Sequence, residues 1–280
     1  MATLIQSMQN LLAKTDPSLS NETKRILLKE FLQAYTLDFL YNHPDYRKLN
    51  FYGGTCLRLV YGLNRLSEDL DLDNSSGVNI SSLQSDLLYF FQTNFSYPDV
   101  TAKTQTGEWG ICRTTLKFPL LYSVGLSSHA DEALHLKVEV SQHQQVYVLR
   151  KTPLLVHGRS FVASHFSLET MMAGKMIACL ERNFQKGNQG VEIKGRDFYD
   201  LLWFMQQRIQ PLDEKLALDG IKHYSVTSAF EELDEKVKKI RRSDLASDLL
   251  PLFEQRSFIS VWLDGFQENF KLYLAGYLKE

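Results

Sequence analysis

The stretch "FYGGTCLRLVYGLNRLSEDLDLD", residues 51–73, has two glycines near one end and a run of aspartates at the other. Asp69, Asp71 and Asp73 alternate with leucines, so in a β-strand all three carboxylates would project from one face. Like charges this close repel one another and raise each other's pKa unless a positive charge lies among them. The pattern therefore predicts a strand whose acidic face requires a cation.

The glycines lie between a short predicted strand, "LNFY", and a predicted helix that begins at "GGT". Glycine allows a sharp turn and a close approach of a ligand to the backbone. Thr55 adds a hydroxyl, and the free N–H groups of a helix start can bind an anion. Alone, this motif is typical of an ordinary strand-to-helix turn. The aspartates that follow favour phosphate chemistry, because phosphoryl and nucleotidyl transfer need oxygen ligands for Mg²⁺.

The composition is that of a chain with a real core and no dominant charge. The chain has 280 residues, 44% of them hydrophobic, and a formal net charge of -2, so no global basic field indicates a polyanion partner. The cysteines, at 56, 112 and 179, are too few and too far apart for a disulfide framework or a zinc knuckle. The N-terminus lacks a secretory pattern and no long apolar run occurs, so we expect a soluble, cytoplasmic protein without a membrane partner.

The periodicity predicts an α/β (α+β) fold in two parts. A helix is expected at 20–41, a strand at "EDLDLD" and a helix at "ISSLQSDLLYFFQ". Further strands are expected at "VTAKTQT", "CRTTLKFPLLY", "ALHLKVEVS" and "QVYVLR", followed by helices at 167–183, 196–208, 226–241, 244–255 and 258–278. The predicted domains are residues 1–160, α/β with N-terminal helices, and residues 161–280, mostly helical.

The opening stretch resembles the first motif of the AbiEii-type nucleotidyltransferase toxins, which are related to the MenT toxins. That motif is Gly-Gly-Thr followed by Arg-x-Ser-x-Asp-x-Asp, and Asp73 lies outside it. The resemblance implies a DNA polymerase β-like nucleotidyltransferase core with a mixed sheet, whose active site the helical domain completes. It implies that Asp69 and Asp71 are catalytic Mg²⁺ ligands. It also implies a nucleotide pocket formed by Gly53, Gly54, Thr55, Arg65 and Ser67.

"LHLKVEVS" places Lys137 and Glu139 on one face of a strand. Such a pair is also common as an exposed cross-strand ion pair of little energetic value. It is similar to the Lys-x-Glu strand of the family. The resemblance implies that Glu139 is the third metal ligand and that Lys137 contacts the nucleotide as a charge partner of the site.

"SLETMMAGKMIACLER" places Lys175 within an apolar helical stripe with Leu168, Met172 and Cys179. A lysine is costly to bury unpaired, so either an anion meets it or its long stem carries the amine to water. The stretch resembles a family helix whose lysine contacts the nucleotide phosphates and which closes with an arginine. The resemblance implies a catalytic, nucleotide-binding Lys175 and a nucleotide-binding Arg182.

"KGRDFYDLLWF" places Asp197 in the first turn of the next helix, where the macrodipole stabilises an acid and plain capping is the alternative. The stretch matches the Arg-Asp-x-Tyr-Asp-Leu motif of the family. The resemblance implies a catalytic Asp197 that either orients Lys175 or acts as a base. The four motifs lie between about residues 50 and 205, and the helices from 211 onward match none.

The resemblance implies a Mg²⁺-dependent toxin of a toxin–antitoxin or abortive-infection system that transfers NMP from an NTP to an RNA acceptor, with tRNA the first candidate. A cognate antitoxin is expected as a partner. Two alternatives stay open: a nucleotide-binding interaction module with little turnover, and a protein phosphotransferase that uses the same pocket. Two basic clusters could contact RNA, although the acids interleaved in the second also fit a solvated helix face. The clusters are Arg182, Lys186, Lys194 and Arg196, and Lys236, Lys238, Lys239, Arg241 and Arg242.

Overall fold

The computed structural model describes residues 3–107, 110–182 and 193–278. The chain forms two compact units. Unit 1 comprises the described residues of 1–144 and 150–165, and unit 2 those of 145–149 and 166–280.

A seven-stranded mixed sheet forms the framework of unit 1. Its strands are Asn50–Tyr52 (β1), Asp69–Asp73 (β2), Thr101–Thr106 (β3), Cys112–Phe118 (β4), Leu134–Ser141 (β5), Leu149–Val156 (β6) and Arg159–Phe166 (β7). The spatial order is β3-β4-β5-β2-β1-β7-β6. β2 is antiparallel to β1 and parallel to β5, β1 is parallel to β7, and β4 is antiparallel to both β3 and β5. The predicted fold class, α/β with a mixed sheet, is confirmed.

The helices of unit 1 are Leu4–Ala13 (α1), Asn21–Asn42 (α2), Gly53–Tyr61 (α3) and Leu83–Asn94 (α4). Ser20 caps α2 by accepting a hydrogen bond from the Thr23 N–H. α2 packs against β5 and α4 packs against β3. They cover one face of these strands, where Leu136 and Val138 are completely buried. Burial of such side chains is the main source of stability for this layer.

Unit 2 is helical. Its helices are Leu168–Glu181 (α5), Gly195–Gln206 (α6), Asp213–Asp219 (α7), Val226–Val237 (α8), Arg242–Leu249 (α9) and Arg256–Tyr277 (α10). α5 packs against α6, α7 and α8, and α10 packs against α6, α8 and α9. Buried aromatic side chains fill the interior, among them Phe198, Phe230 and Phe266. The helical C-terminal part that the sequence predicts is therefore present.

The structure corrects the prediction in the 145–166 region. The strand predicted at 145–150 begins only at Leu149, because Val148 instead donates its N–H to Thr170 Oγ1 and accepts a hydrogen bond from the Ser167 N–H. β6 continues through Pro153, which an edge strand tolerates because one side of it needs no ladder partner. β7, which follows a turn at Gly158, was not predicted.

The helices of unit 2 also differ from the prediction in their bounds. α7 was not predicted, and α8 ends at Val237 rather than at residue 241. The helix predicted at 244–255 is α9 followed by a 3-10 turn, Leu250–Leu252, because Pro251 lacks the N–H that an α-helix interior needs. Within the described ranges, no helix combines the length and the apolar character needed to cross a bilayer.

Candidate active site

The acidic strand β2 lies between β1 and β5, and its register places the predicted metal ligands on one face. Asp71 pairs with Glu139 of β5 on one side and with Tyr52 of β1 on the other. Asp69 pairs with Lys137 of β5. Side chains directly opposite in neighbouring strands share a face of the sheet. The register therefore places Asp69, Asp71, Lys137 and Glu139 side by side on one face of the sheet, and their roles in binding a metal or a nucleotide stay predictions.

Positive side chains accompany two of these acids. Lys137 Nζ lies 3.7 Å from Asp69 Oδ1. Arg113 Nε, from β4, donates to Glu139 Oε1 at 2.6 Å, and this hydrogen bond raises the pKa of the Arg113 guanidinium. The Lys137 and Arg113 side chains are 45% and 46% exposed, so both ion pairs are partly solvated. Such pairs contribute about 1 kcal/mol or less, and a stronger ligand can displace either partner.

The glycine turn lies directly against this acidic face. Gly53 has a φ of 77°, a left-handed conformation that glycine adopts without strain. A Cβ atom on Gly53 would overlap the Asp71 carboxylate, and its distance to Asp71 Cγ would be only 2.8 Å. A Cβ on Gly54 would lie 2.7 Å from Arg65 Nη2 and 2.9 Å from Ser67 Oγ. A side chain at Gly53 would therefore be strained and displace Asp71, one at Gly54 would force Arg65 or Ser67 to shift, and the start of α3 adjoins the carboxylate of Asp71.

Three predicted nucleotide-binding residues lie beneath the turn. Thr55 is buried and its hydroxyl donates to the Asp69 carbonyl at 2.6 Å, which fastens α3 to β2. Arg65 is only 1% exposed, and its Nη1 donates to the Leu66 carbonyl at 2.9 Å. Ser67 is also buried. These buried side chains lie next to the first turn of α3. Direct contact with a nucleotide stays a prediction for each of them.

The predicted site residues of unit 2 form a second, buried cluster. Lys175 Nζ, on α5, lies 2.7 Å from Asp197 Oδ1, and Arg182 Nη1 lies 2.6 Å from Asp197 Oδ2. Asp200 is one turn after Asp197 on α6, and its Oδ2 lies 2.9 Å from Lys175 Nζ. Both aspartates are buried. The anion that meets Lys175 in the structure is thus a pair of carboxylates of the chain itself, and the contact with nucleotide phosphates that the resemblance implies stays a prediction.

The charges of this cluster hold Asp197 ionised. Burial by itself would raise the pKa of Asp197, but the charges of Lys175 and Arg182 and the hydrogen bond from Lys175 outweigh it. The pKa of Asp197 is therefore held well below its usual range. Two residues before Asp197, α6 approaches α9 so closely that a Cβ on Gly195 would lie 2.8 Å from the Leu245 carbonyl oxygen.

The family model for the nucleotidyl transferase AbiEii toxin of type IV toxin–antitoxin systems matches residues 38–279. The match spans more than half of the chain and includes every candidate residue from Gly53 to Asp197. The chain belongs to this family. No curated protein matches the chain.

Membership of the AbiEii family makes the chain a nucleotidyltransferase toxin of a toxin–antitoxin system. It also implies a nucleotide substrate and a cognate antitoxin. The predicted family is confirmed by a match that extends beyond the four motifs to the helices after residue 211. Those helices, from α7 to α10, carry no motif that the sequence alone reveals.

The chemistry and placement of the acids fit a magnesium ion, although they do not form a ready-made cage. In the described ranges, no three His, Cys, Asp or Glu side chains are already arranged to hold a metal. Asp69, Asp71 and Glu139 nevertheless supply the hard carboxylate oxygens that Mg²⁺ prefers, from one face of adjoining strands. The cations now beside Asp69 and Glu139 are those of Lys137 and Arg113, in ion pairs that are partly solvated.

Sequence reasoning missed three residues of these clusters as site residues. Arg113 is far from the motifs in sequence and reaches Glu139 only through the β4–β5 register. Asp200 was matched to a motif but not assigned to Lys175. Tyr52 precedes the glycines, and the register with Asp71 places it on the acidic face. Burial, and after it the charge of Asp71 and its acidic neighbours, raises the pKa of the Tyr52 hydroxyl well above its usual range.

Proposed function

We propose that this toxin transfers a nucleoside monophosphate from an NTP to a hydroxyl of an RNA acceptor in a Mg²⁺-dependent reaction, with tRNA as the first candidate. The observation that carries the proposal is the placement of Asp69, Asp71 and Glu139 on one face of the sheet beside the start of α3. Family membership supports the reaction class. The cytoplasm, where NTPs and RNA meet, is the proposed site of action.

In the proposed reaction, the acceptor oxygen forms a bond to the α-phosphorus of the NTP. The bond from the α-phosphorus to the bridging oxygen breaks, pyrophosphate leaves with the electron pair, and the hydroxyl proton passes to water. Asp69, Asp71 and Glu139 would hold Mg²⁺, which when bound stabilises charge on the entering and leaving oxygens.

The start of α3 is the proposed phosphate cradle. Its first N–H groups have no intrahelical partners, and the helix dipole favours negative charge at this end. The Tyr52 side chain makes no capping hydrogen bond to the described residues of this turn. The absence of a Cβ on Gly53 leaves the backbone open to a ligand beside Asp71. Lys137 is the proposed charge partner of the triphosphate once a metal has replaced it beside Asp69.

Lys175 and Arg182 are the proposed cations of unit 2 that bind phosphate. Asp197 forms an ion pair with each of them, and Asp200 forms a second ion pair with Lys175. A carboxylate whose pKa is held far below its usual range is a weak base at neutral pH. Of the two roles open to Asp197, the cluster therefore supports the orientation of Lys175 over proton abstraction.

The test is incubation of the purified chain with total RNA, MgCl₂ and each NTP labelled with ³²P at the α-position, in parallel with γ-labelled ATP. The proposal predicts α-label in RNA and no γ-label in any macromolecule. Label that reaches protein only from the γ-position would establish the phosphotransferase alternative. NTP binding without incorporation of either label would establish the interaction module.

A further inference from the structure

The exposed face of β3, β4 and β5 is a basic surface that begins at the carboxylates. In successive register rows, Thr101 pairs with Lys117 and Lys117 with His135, while Lys103 pairs with Thr115 and Thr115 with Lys137. A third row joins Gln105, Arg113 and Glu139. The basic side chains on this one face are those of Lys103, Arg113, Lys117, His135 and Lys137, and all five residues are exposed. Four of them are cations at neutral pH, and the fifth is the histidine. We call these five residues the basic face.

The charge of the basic face is compensated only where it meets the acids. Arg113 and Lys137 pair with Glu139 and Asp69, respectively. Lys103 and Lys117 form no ion pair with any residue of the described ranges. Partial burial, and after it the charges of Lys117 and two further lysines, lowers the pKa of His135. The surface therefore becomes more positive with distance from the carboxylates.

The helical basic cluster at 236–242 is different. Lys238 lies 2.7 Å from both Asp234 and Glu235, and Arg241 lies 2.9 Å from Asp244. Arg242 lies 2.6 Å from Asp264. Three of the five cations in this cluster are thus matched by neighbouring acids, and the Lys236 ammonium donates to the Leu180 carbonyl. Only the Lys239 side chain has no such partner among the described residues, so the pairing favours the solvated helix face over an RNA contact. Lys186, in the other predicted cluster, lies outside the described residues.

We propose that the basic face binds the phosphate backbone of the single-stranded end of the RNA acceptor and leads its terminal hydroxyl to Asp69 and Asp71. This inference rests on the proposed function, since it names the surface that receives the acceptor. Neighbouring strands lie about 4.8 Å apart, and residues two apart on a strand are separated by about 6.8 Å. Cations at this spacing can contact successive phosphates of an extended strand, and the row of Lys103 and Lys137 ends at Asp69.

The test is the binding of a fluorescently labelled single-stranded RNA oligonucleotide, followed by anisotropy without NTP or Mg²⁺ and over a range of salt concentrations. The test variant is Lys103→Ala/Lys117→Ala. The matched control is Arg150→Ala/Lys151→Ala, which removes two exposed cations from β6, at the other edge of the same sheet. Thermal unfolding of each variant verifies that both fold like the unmodified chain.

The basic face predicts about 10-fold weaker RNA binding for Lys103→Ala/Lys117→Ala at about 0.1 M salt. The slope of log K against log salt should shrink by about 1.4, because each phosphate contact on a single strand contributes about 0.7. The control should change affinity by less than about twofold. Equal losses in both variants, or an unchanged slope in the first, would overturn the inference.

The outcome is separable from that of the proposed function, because the binding assay involves no transfer. If α-label enters RNA while Lys103→Ala/Lys117→Ala binds RNA normally, the proposed function is supported and the inference that the basic face binds RNA is wrong. If RNA binding depends on the basic face but no NTP labels RNA, the surface stands and the transfer reaction is wrong.

Discussion

Two lysine–aspartate pairs in this toxin use the same chemistry in opposite surroundings. In unit 1, Lys137 and Asp69 lie 3.7 Å apart with side chains that are 45% and 29% exposed. In unit 2, Lys175 and Asp197 lie 2.7 Å apart with side chains that are 16% and 4% exposed. An exposed pair costs little to separate, whereas breaking a buried pair leaves a charge without compensation.

This difference in burial indicates that the cluster of unit 1 and the cluster of unit 2 have different roles. The acids of β2 and β5 can exchange their cationic partners for another ligand, as a binding site requires. The acids of α6 cannot, because Lys175 would lose its compensation inside unit 2, so the proposed phosphate contact of Lys175 has to form while both aspartates stay paired with it. Asp69 should therefore matter for activity more than for folding, and Asp197 should matter for folding as well as for activity.

The largest effect should follow the substitution Asp69→Asn. It removes a charged ligand of the proposed metal site, so label transfer from an α-labelled NTP should fall about 1,000-fold or more, the equivalent of several kcal/mol of lost charge stabilisation. The free energy of unfolding should change by about 1 kcal/mol or less, because the pair with Lys137 is partly exposed. A stability loss as large as that of Asp197→Asn would remove the distinction between the clusters.

The next effect should be the destabilisation caused by Asp197→Asn. Removal of one partner from a buried ion pair costs about 3–5 kcal/mol, and we expect about 3 kcal/mol because Asp200 still compensates Lys175. Urea unfolding measures the change. The control is Glu232→Gln, whose partner Lys222 is 63% exposed, and it should shift stability by about 0.5 kcal/mol or less. Equal shifts for both substitutions would contradict a special role for the buried cluster.

A smaller difference in stability, between two Gly→Ala variants, should distinguish the cost of backbone strain from the cost of the contact between the glycine turn and Asp71. Gly53→Ala and Gly62→Ala both force a side chain into a left-handed conformation, with φ of 77° and 76°. A Cβ on Gly62 would meet nothing within 4 Å, whereas one on Gly53 would overlap Asp71. Gly53→Ala should therefore be about 2 kcal/mol less stable than Gly62→Ala. Of the two variants, only Gly53→Ala should impair transfer of the α-label to RNA. Identical stability and activity in both variants would show that Asp71 does not lie against the glycine turn.

The smallest effect should appear in the pH dependence of stability. The pKa of Asp197 is lower in the folded chain than its usual value of 3.8, so the unfolded chain takes up a proton first as the pH falls. The stability that Asp197 contributes is therefore complete above the usual value and is lost progressively at lower pH. The free energy of unfolding, measured between about pH 2 and 7, should fall less steeply with decreasing pH for Asp197→Asn than for the unmodified chain. Parallel curves would contradict the lowered pKa.

The sequence predicts the features that depend on local pattern. The alternation in β2, the glycines before α3 and the apolar stripe around Lys175 are each contained within one element. Of the two alternatives that the sequence left open for Lys175, an anionic partner or an amine carried to water, the structure shows the anionic partner, because a bare ammonium is costly to bury in any topology.

Features set by long-range pairing could not be predicted in this way. Arg113 becomes a neighbour of Glu139 only when β4 pairs with β5, and no local signal marks it. β6 contains Pro153, which argues against a strand until its edge position is known. The burial of Arg65 beneath the turn likewise depends on how α3 and β2 pack together.

The most direct test of the central claim is a crystal structure with Mn²⁺ and a non-hydrolysable NTP, in which anomalous scattering locates the ion. The account predicts an ion about 2.0–2.2 Å from oxygens of Asp69 and Asp71, with the triphosphate at the start of α3. In the same crystal, Lys137 should have left Asp69. An ion bound elsewhere, with Asp69 still paired to Lys137 and Glu139 to Arg113, would contradict it.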